Sequence, residues 1–134
     1  MSKLETIEGI GPALCQKLEA AGVGSCENLL EAGGTRNGRA DIAAKTGISE
    51  AQILKFVNHA DLMRIKGVGG EYSELLEAAG VDSVPELAQR NAANLMTKMT
   101  SVNETKQLVR ALPSETQLEG WIKDAAGLSK AVHH

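Results

Sequence analysis

The chain has 134 residues, 43% of them hydrophobic, enough for one ordinary domain or for two very small units sharing a core. Fourteen basic and 17 acidic residues give a net charge of −3, and the halves hardly differ: residues 1–57 carry 6 basic and 7 acidic groups, residues 58–134 carry 8 and 10. Neither half has the bulk positive field that drives nonspecific DNA binding. No apolar run approaches the ~18 residues of a membrane span, and no basic-then-apolar leader opens the chain, so a soluble cytoplasmic protein with no membrane partner is expected. Only Phe56, Tyr72 and Trp121 are aromatic, and a core of Leu, Ile, Val and Ala with three prolines favours helices over sheets.

In chain order, the first landmark is Ile7-Glu8-Gly9-Ile10-Gly11-Pro12. A short helix is expected to end at Gly9, with Gly9 and Gly11 turning the backbone tightly in conformations that a Cβ would penalise. Pro12 suits the first turn of a helix, and the spacing predicts one over 12–21 with Leu14, Leu18 and Ala21 on one face. Gly22 then serves as a left-handed cap, with Val23 folding back as its hydrophobic contact. Ser25 is an N-cap for a helix over 25–32, with Glu27 in its first turn. A further helix is expected over 38–46. Ser49-x-x-Gln52 is a capping box that opens another over 49–60.

The same order then returns. Ile65-Lys66-Gly67-Val68-Gly69 matches Ile7 to Gly11 at an offset of 58, and Leu76 to Val81 matches Leu18 to Val23. Ser83 faces Ser25 and Leu87 faces Leu29. Ser114-x-x-Gln117 matches the first capping box at an offset of 65, with Trp121-Ile122 opposite Phe56-Val57. Seven extra residues therefore fall between about 90 and 113. Helices are expected over 61–66, 70–79, 83–90, 91–100, 103–111 and 114–126, and no segment alternates with period two for long enough to be a strand. The fold class is all-α: two tandem units, 1–60 and 61–128, packed as one pseudo-twofold domain. A tail, 129–134, follows and is either native or tag-derived.

The expected core is Ile7, Ile10, Leu14, Leu18, Val23, Leu29, Ile42, Ile53, Phe56 and Val57 in the first unit. In the second it is Ile65, Val68, Tyr72, Leu75, Leu76, Val81, Leu87, Leu95, Leu108, Leu118, Trp121 and Ile122. Cys15 and Cys26 have no second pair with which to form a zinc site, and read as small packing residues in a reducing compartment. Neither His59 nor the terminal pair has ligand spacing; His59 and Asp61 read as a helix end and an N-cap. Thr35-Arg36-Asn37-Gly38-Arg39 offers two arginines beside a helix start, which could hold an anion, although a solvated loop pairing with Asp41 and nearby glutamates is the more ordinary reading. Lys98, Lys106 and Arg110 form a looser basic group, with 106 and 110 on one helix face. Asn91-x-x-Asn94 reads as a cap. No Ser-His-Asp ordering, H-E-x-x-H, Walker loop or paired-cysteine signature is present, so no enzyme and no cofactor are expected.

The Gly9-Ile10-Gly11-Pro12 and Gly67-Val68-Gly69-Gly70 turns, each followed by a helix ending in Ala-Ala-Gly-Val, resemble the helix-hairpin-helix family. Residues of about 3–128, including the repeated Ser-Glu-x-Gln boxes and Asn103–Arg110, also resemble a bacterial family of unknown function, domain-of-unknown-function family 4332. The first resemblance implies a nucleic-acid module whose turn amides receive phosphate oxygens, here from Gly9, Gly11 and Ala13 and from Gly67, Gly69 and Glu71, with Lys66 beside the second turn. Arg36 and Arg39 join these as candidate phosphate contacts. It also implies a monovalent-cation cradle of carbonyls, by position Glu5, Ile7 and Ile10, or Met63, Ile65 and Val68. Catalytic members of that family are larger chains with a lysine or aspartate in a cleft. Glu8, Glu71 and Glu74 oppose phosphate, unscreened by ~4 kcal/mol at 4 Å and an effective dielectric of 20. The partner that the resemblance implies is nonetheless DNA or another nucleic acid. The alternative is a protein-interaction adaptor that keeps the fold without DNA affinity, and its expected surface is Leu95-Met96-Thr97-Lys98-Met99.

Overall fold

The computed structural model describes residues 2–134. Among them are eight α-helices and no strand, after a short 3-10 helix at Leu4–Thr6. The α-helices are α1 (Pro12–Ala20), α2 (Cys26–Gly33), α3 (Arg36–Thr46), α4 (Glu50–Leu62), α5 (Gly70–Ala78), α6 (Val84–Ala88), α7 (Ala92–Lys106) and α8 (Glu115–Ala126). The chain divides into two compact units. The first runs to Asp61 and also takes in Ala131–His134, and the second is Leu62–Lys130. The last four residues thus belong with the first unit, because main-chain hydrogen bonds tie them there, as described below.

Each helix start follows from its sequence. Ser25, Thr35, Ser83, Asn91 and Ser114 each accept a hydrogen bond from the backbone N–H three residues on. Ser49 accepts likewise from Gln52 N–H at 3.2 Å. At Ser114 the Gln117 side chain also accepts from the serine's own N–H, completing the capping box. α1 ends in a left-handed Gly22 (φ 87°), with Val23 N–H bonded to Leu18 C=O at 2.9 Å. α5 ends in the same way at Gly80 (φ 96°), with Val81 N–H on Leu76 C=O at 2.8 Å.

In the first unit α2 packs on α3, and α1 contacts α3 and the 3-10 helix. Its core includes Leu4, Ile7, Ile10, Leu18, Val23, Leu29, Ile42, Ile53, Phe56 and Val57, all buried. Leu14 is only half-buried. In the second unit α6 and α7 pack on α8, and α5 packs on α7. Leu75, Leu76, Val81, Leu87, Leu95, Met99, Leu118 and Trp121 form its centre, with Tyr72, Leu108 and Ile122 partly buried around it. The Tyr72 and Trp121 rings meet at 5.3 Å, tilted by 54°.

Three expected elements differ. There is no separate helix over 61–66: α4 runs on to Leu62, so Asp61 is no N-cap, and His59 and Asp61 are both fully buried in its last turn. The helices expected over 91–100 and 103–111 are replaced by one, α7, which reaches Lys106. It stops because Gln107 turns left-handed (φ 51°) and the Asn103 side chain binds Val109 twice, N–H to Oδ1 at 3.0 Å and Nδ2 to C=O at 3.1 Å. Arg110 therefore lies beyond the helix and shares no face with Lys106. Among the described residues no helix is long and apolar enough to cross a membrane.

Candidate nucleic-acid interface

The two glycine turns follow nearly the same backbone course. Gly9 and Gly67 are left-handed, at φ 95° and 94°. Ile10 N–H bonds Ile7 C=O at 3.2 Å, and Val68 N–H bonds Ile65 C=O at 3.1 Å. Gly11 (φ −92°, ψ −175°) and Gly69 (φ −99°, ψ −166°) are extended and sit at the N-caps of α1 and α5. All four glycines are exposed.

The paired glycines do different work. Behind Gly9 lies Phe56: a Cβ at residue 9 would come within 3.3 Å of its Cε1. Behind Gly67 lies Trp121, with Nε1 at 3.1 Å from the corresponding position. Positive φ and a ring at close quarters both demand glycine there. Gly11 and Gly69 meet neither demand. Their dihedrals suit any residue, and a Cβ at either position would have nothing within 4 Å. The expectation that all four glycines adopt conformations closed to a Cβ therefore holds for Gly9 and Gly67 alone.

α1 and α5 also begin with no side-chain cap, unlike the six helices above. The first-turn amides of a helix have no partner within the helix itself. Here they include those of Ala13 and Glu71, both on exposed residues. Lys66 is exposed beside the second turn, two residues after Arg64, and the fold brings both together with a cation remote in sequence. Arg64, Lys66 and Lys123 line a cleft of about 420 Å³, with Asp124 as its acidic member. Arg64 donates to Ser129 C=O at 2.9 Å. Lys123 lies on α8, more than fifty residues from Lys66 in sequence, and only the packing of that helix brings it into the cleft.

The two arginines at α3 do not act as a pair. Arg36 is exposed, but Arg39 is 4% exposed, with Nη1 donating to Gly33 C=O at 3.0 Å and Nη2 to His133 C=O at 2.9 Å. Burial first, and the neighbouring Arg36 second, pull its pKa down. Of the α3 first-turn amides, that of Gly38 is already bonded, to Thr35 Oγ1 at 3.1 Å. The surface proposed for a partner at 95–99 is absent too, since Leu95 and Met99 are 1% and 0% exposed. They are core residues one helical turn apart.

The carbonyl of Ile7, one of the cradle groups with Glu5 and Ile10, accepts the Ile10 amide, and that of Ile65 accepts Val68. Among the described residues no group of three or more His, Cys, Asp or Glu side chains is placed to hold a metal ion. Both cysteines are free and buried. Cys15 Sγ donates to Glu19 at 3.3 Å, and burial followed by that carboxylate pushes its pKa up to about 11. Burial, and then Glu27, push Cys26 up to about 11 as well.

No curated protein and no solved structure matches the chain. One family model does, over residues 8–128, and its description is a domain of unknown function, DUF4332. The matched span contains both glycine turns and all eight α-helices, so the chain belongs to the DUF4332 family.

Proposed function

We propose that the chain is a non-catalytic module of two tandem helix-hairpin-helix units that binds nucleic acid without sequence specificity, through the backbone amides of its glycine turns. The observation that carries this reading is the pair Gly11 and Gly69. Neither packing nor backbone conformation calls for glycine there. A phosphate oxygen approaching the first-turn amides does call for it, because any side chain would stand in the way. Both positions open helices that lack a side-chain cap, so the amides remain for an outside acceptor. Contacts of this kind reach phosphate only, and phosphate carries no base identity.

The second turn is the better phosphate site of the two. It contains Lys66, which shares a cleft with Arg64 and Lys123, whereas Glu8 occupies the position in the first turn that Lys66 occupies in the second. The test is a salt-titrated binding assay of the full chain against duplex, four-way-junction and single-stranded DNA. Binding independent of sequence, weakened by salt and reduced several-fold by Gly69→Val is the expected result. No detectable binding at about 50 mM salt to any of the three, where electrostatic contacts are strongest, would overturn the reading.

A further inference from the structure

The C-terminal residues are held as a ligand is held. Val132 is 3% exposed. His133 uses both of its main-chain groups: N–H donates to Gly34 C=O at 2.7 Å, and C=O accepts from Arg39 Nη2 at 2.9 Å. The same guanidinium holds the corner of the groove through Nη1 and Gly33 C=O at 3.0 Å. Gly34 forms the floor, and a Cβ there would stand 2.6 Å from the Ala131 carbonyl oxygen. Its dihedrals, φ −66° and ψ −24°, suit any residue, so crowding is what requires glycine, from the Ala131 carbonyl of the segment and also from the Leu30 carbonyl of α2 at 2.9 Å. The side chains of His133 and His134 are exposed and go unread.

Contacts of this type recognise an extended backbone and one aliphatic side chain. The groove also has a reason to be filled. Arg39 is buried, and without an occupant its Nη2 would lose the His133 carbonyl and be left unmet inside the protein. We propose that the first unit carries a docking groove for an extended peptide segment, built from the Gly33–Gly34 corner and the Arg39 guanidinium, and that residues 131–133 fill it in cis as an exchangeable occupant. The selective position is Val132, which calls for a small aliphatic residue. The flanking residues need only offer an N–H and a C=O.

The experiment uses the full chain with Val132→Asp, which places a carboxylate where an isopropyl group is buried. Hydrogen exchange at the His133 amide should rise by at least about tenfold while α3 amides keep their protection. A synthetic peptide of sequence Ser-Lys-Ala-Val-His-His, titrated into that variant, should then shift the Gly34 amide and Arg39 side-chain resonances. The same peptide with Asp in place of Val should not. Should Val132→Asp lose its helical circular dichroism, the milder Val132→Ser takes its place in the same titration. A folded variant that ignores the peptide at millimolar concentration overturns the proposal. So does a His133 amide that exchanges in the unaltered chain at the rate of an unstructured peptide.

Discussion

Gly9 and Gly11 are two residues apart, and the fold asks opposite things of them. Gly9 has positive φ and Phe56 behind it, so Gly9→Ser should destabilise the protein by at least ~1–2 kcal/mol in chemical denaturation. Gly67→Ser, against Trp121, should do the same. Gly11→Ser should act in the other direction. Its backbone is already that of an N-cap, and serine would supply the acceptor that α1 lacks while restricting the unfolded chain. A gain of about 0.5–1 kcal/mol is expected, and likewise at Gly69. If the turn amides bind phosphate, the same two serines should weaken DNA binding, because their hydroxyls take the amides first. A serine at 69 that stabilises the fold and leaves DNA affinity unchanged would show that the amides face no ligand. At the cysteines, a thiol held near 11 is almost wholly protonated at pH 8. Folded protein should therefore react with a thiol reagent far more slowly than denatured protein. Equal rates would contradict the burial of both.

Among the elements, those with a signal in their own sequence were readable and those set by tertiary contact were not. Ser25, Ser83, Asn91 and Ser114 announce helix starts because a short polar side chain at the cap is itself the interaction. Gly22 and Gly80 announce helix ends for the same local reason. The end of α7 has no such marker: Gln107 is a poor left-handed residue, held there while Asn103 reaches across to Val109. That contact depends on the path of the chain after the helix. Gln107→Gly should accordingly stabilise by about 1 kcal/mol, since glycine carries no Cβ penalty at φ 51°. Asn103→Ala should destabilise and leave the Val109 amide exchanging faster. The site divides along the same line. The glycine turns and Lys66 are legible as a contiguous motif. Arg64 stands two residues before Lys66 in the sequence, whereas Lys123 joins them only through the packing of α8, and Arg39 leaves the site because the Gly33 and His133 carbonyls claim its guanidinium, the second from 94 positions away.

For the molecule as a whole, a net charge of −3 and a nucleic-acid partner are compatible only if the contact is local. The cations of the cleft that includes Lys66 number three, Arg64, Lys66 and Lys123, and Asp124 offsets part of their field. Each phosphate neutralised on duplex DNA contributes about −0.9 to the slope of log K against log salt, so the slope should be shallow, about −2 to −3. Charge reversals should then sort by place. Lys66→Glu and Lys123→Glu should each weaken binding and flatten the slope by about 1 or more, as a released counterion is lost. Glu71→Lys should strengthen binding and steepen the slope, because it removes a carboxylate from the start of α5 and adds a cation at the phosphate. Arg36→Glu, on an exposed residue of a helix whose Gly38 amide is already capped by Thr35, should change affinity far less. A slope near −6, or a loss from Arg36→Glu as large as that from Lys66→Glu, would mean that DNA is gripped by a broad surface away from the second turn, and the glycines at 11 and 69 would need another explanation.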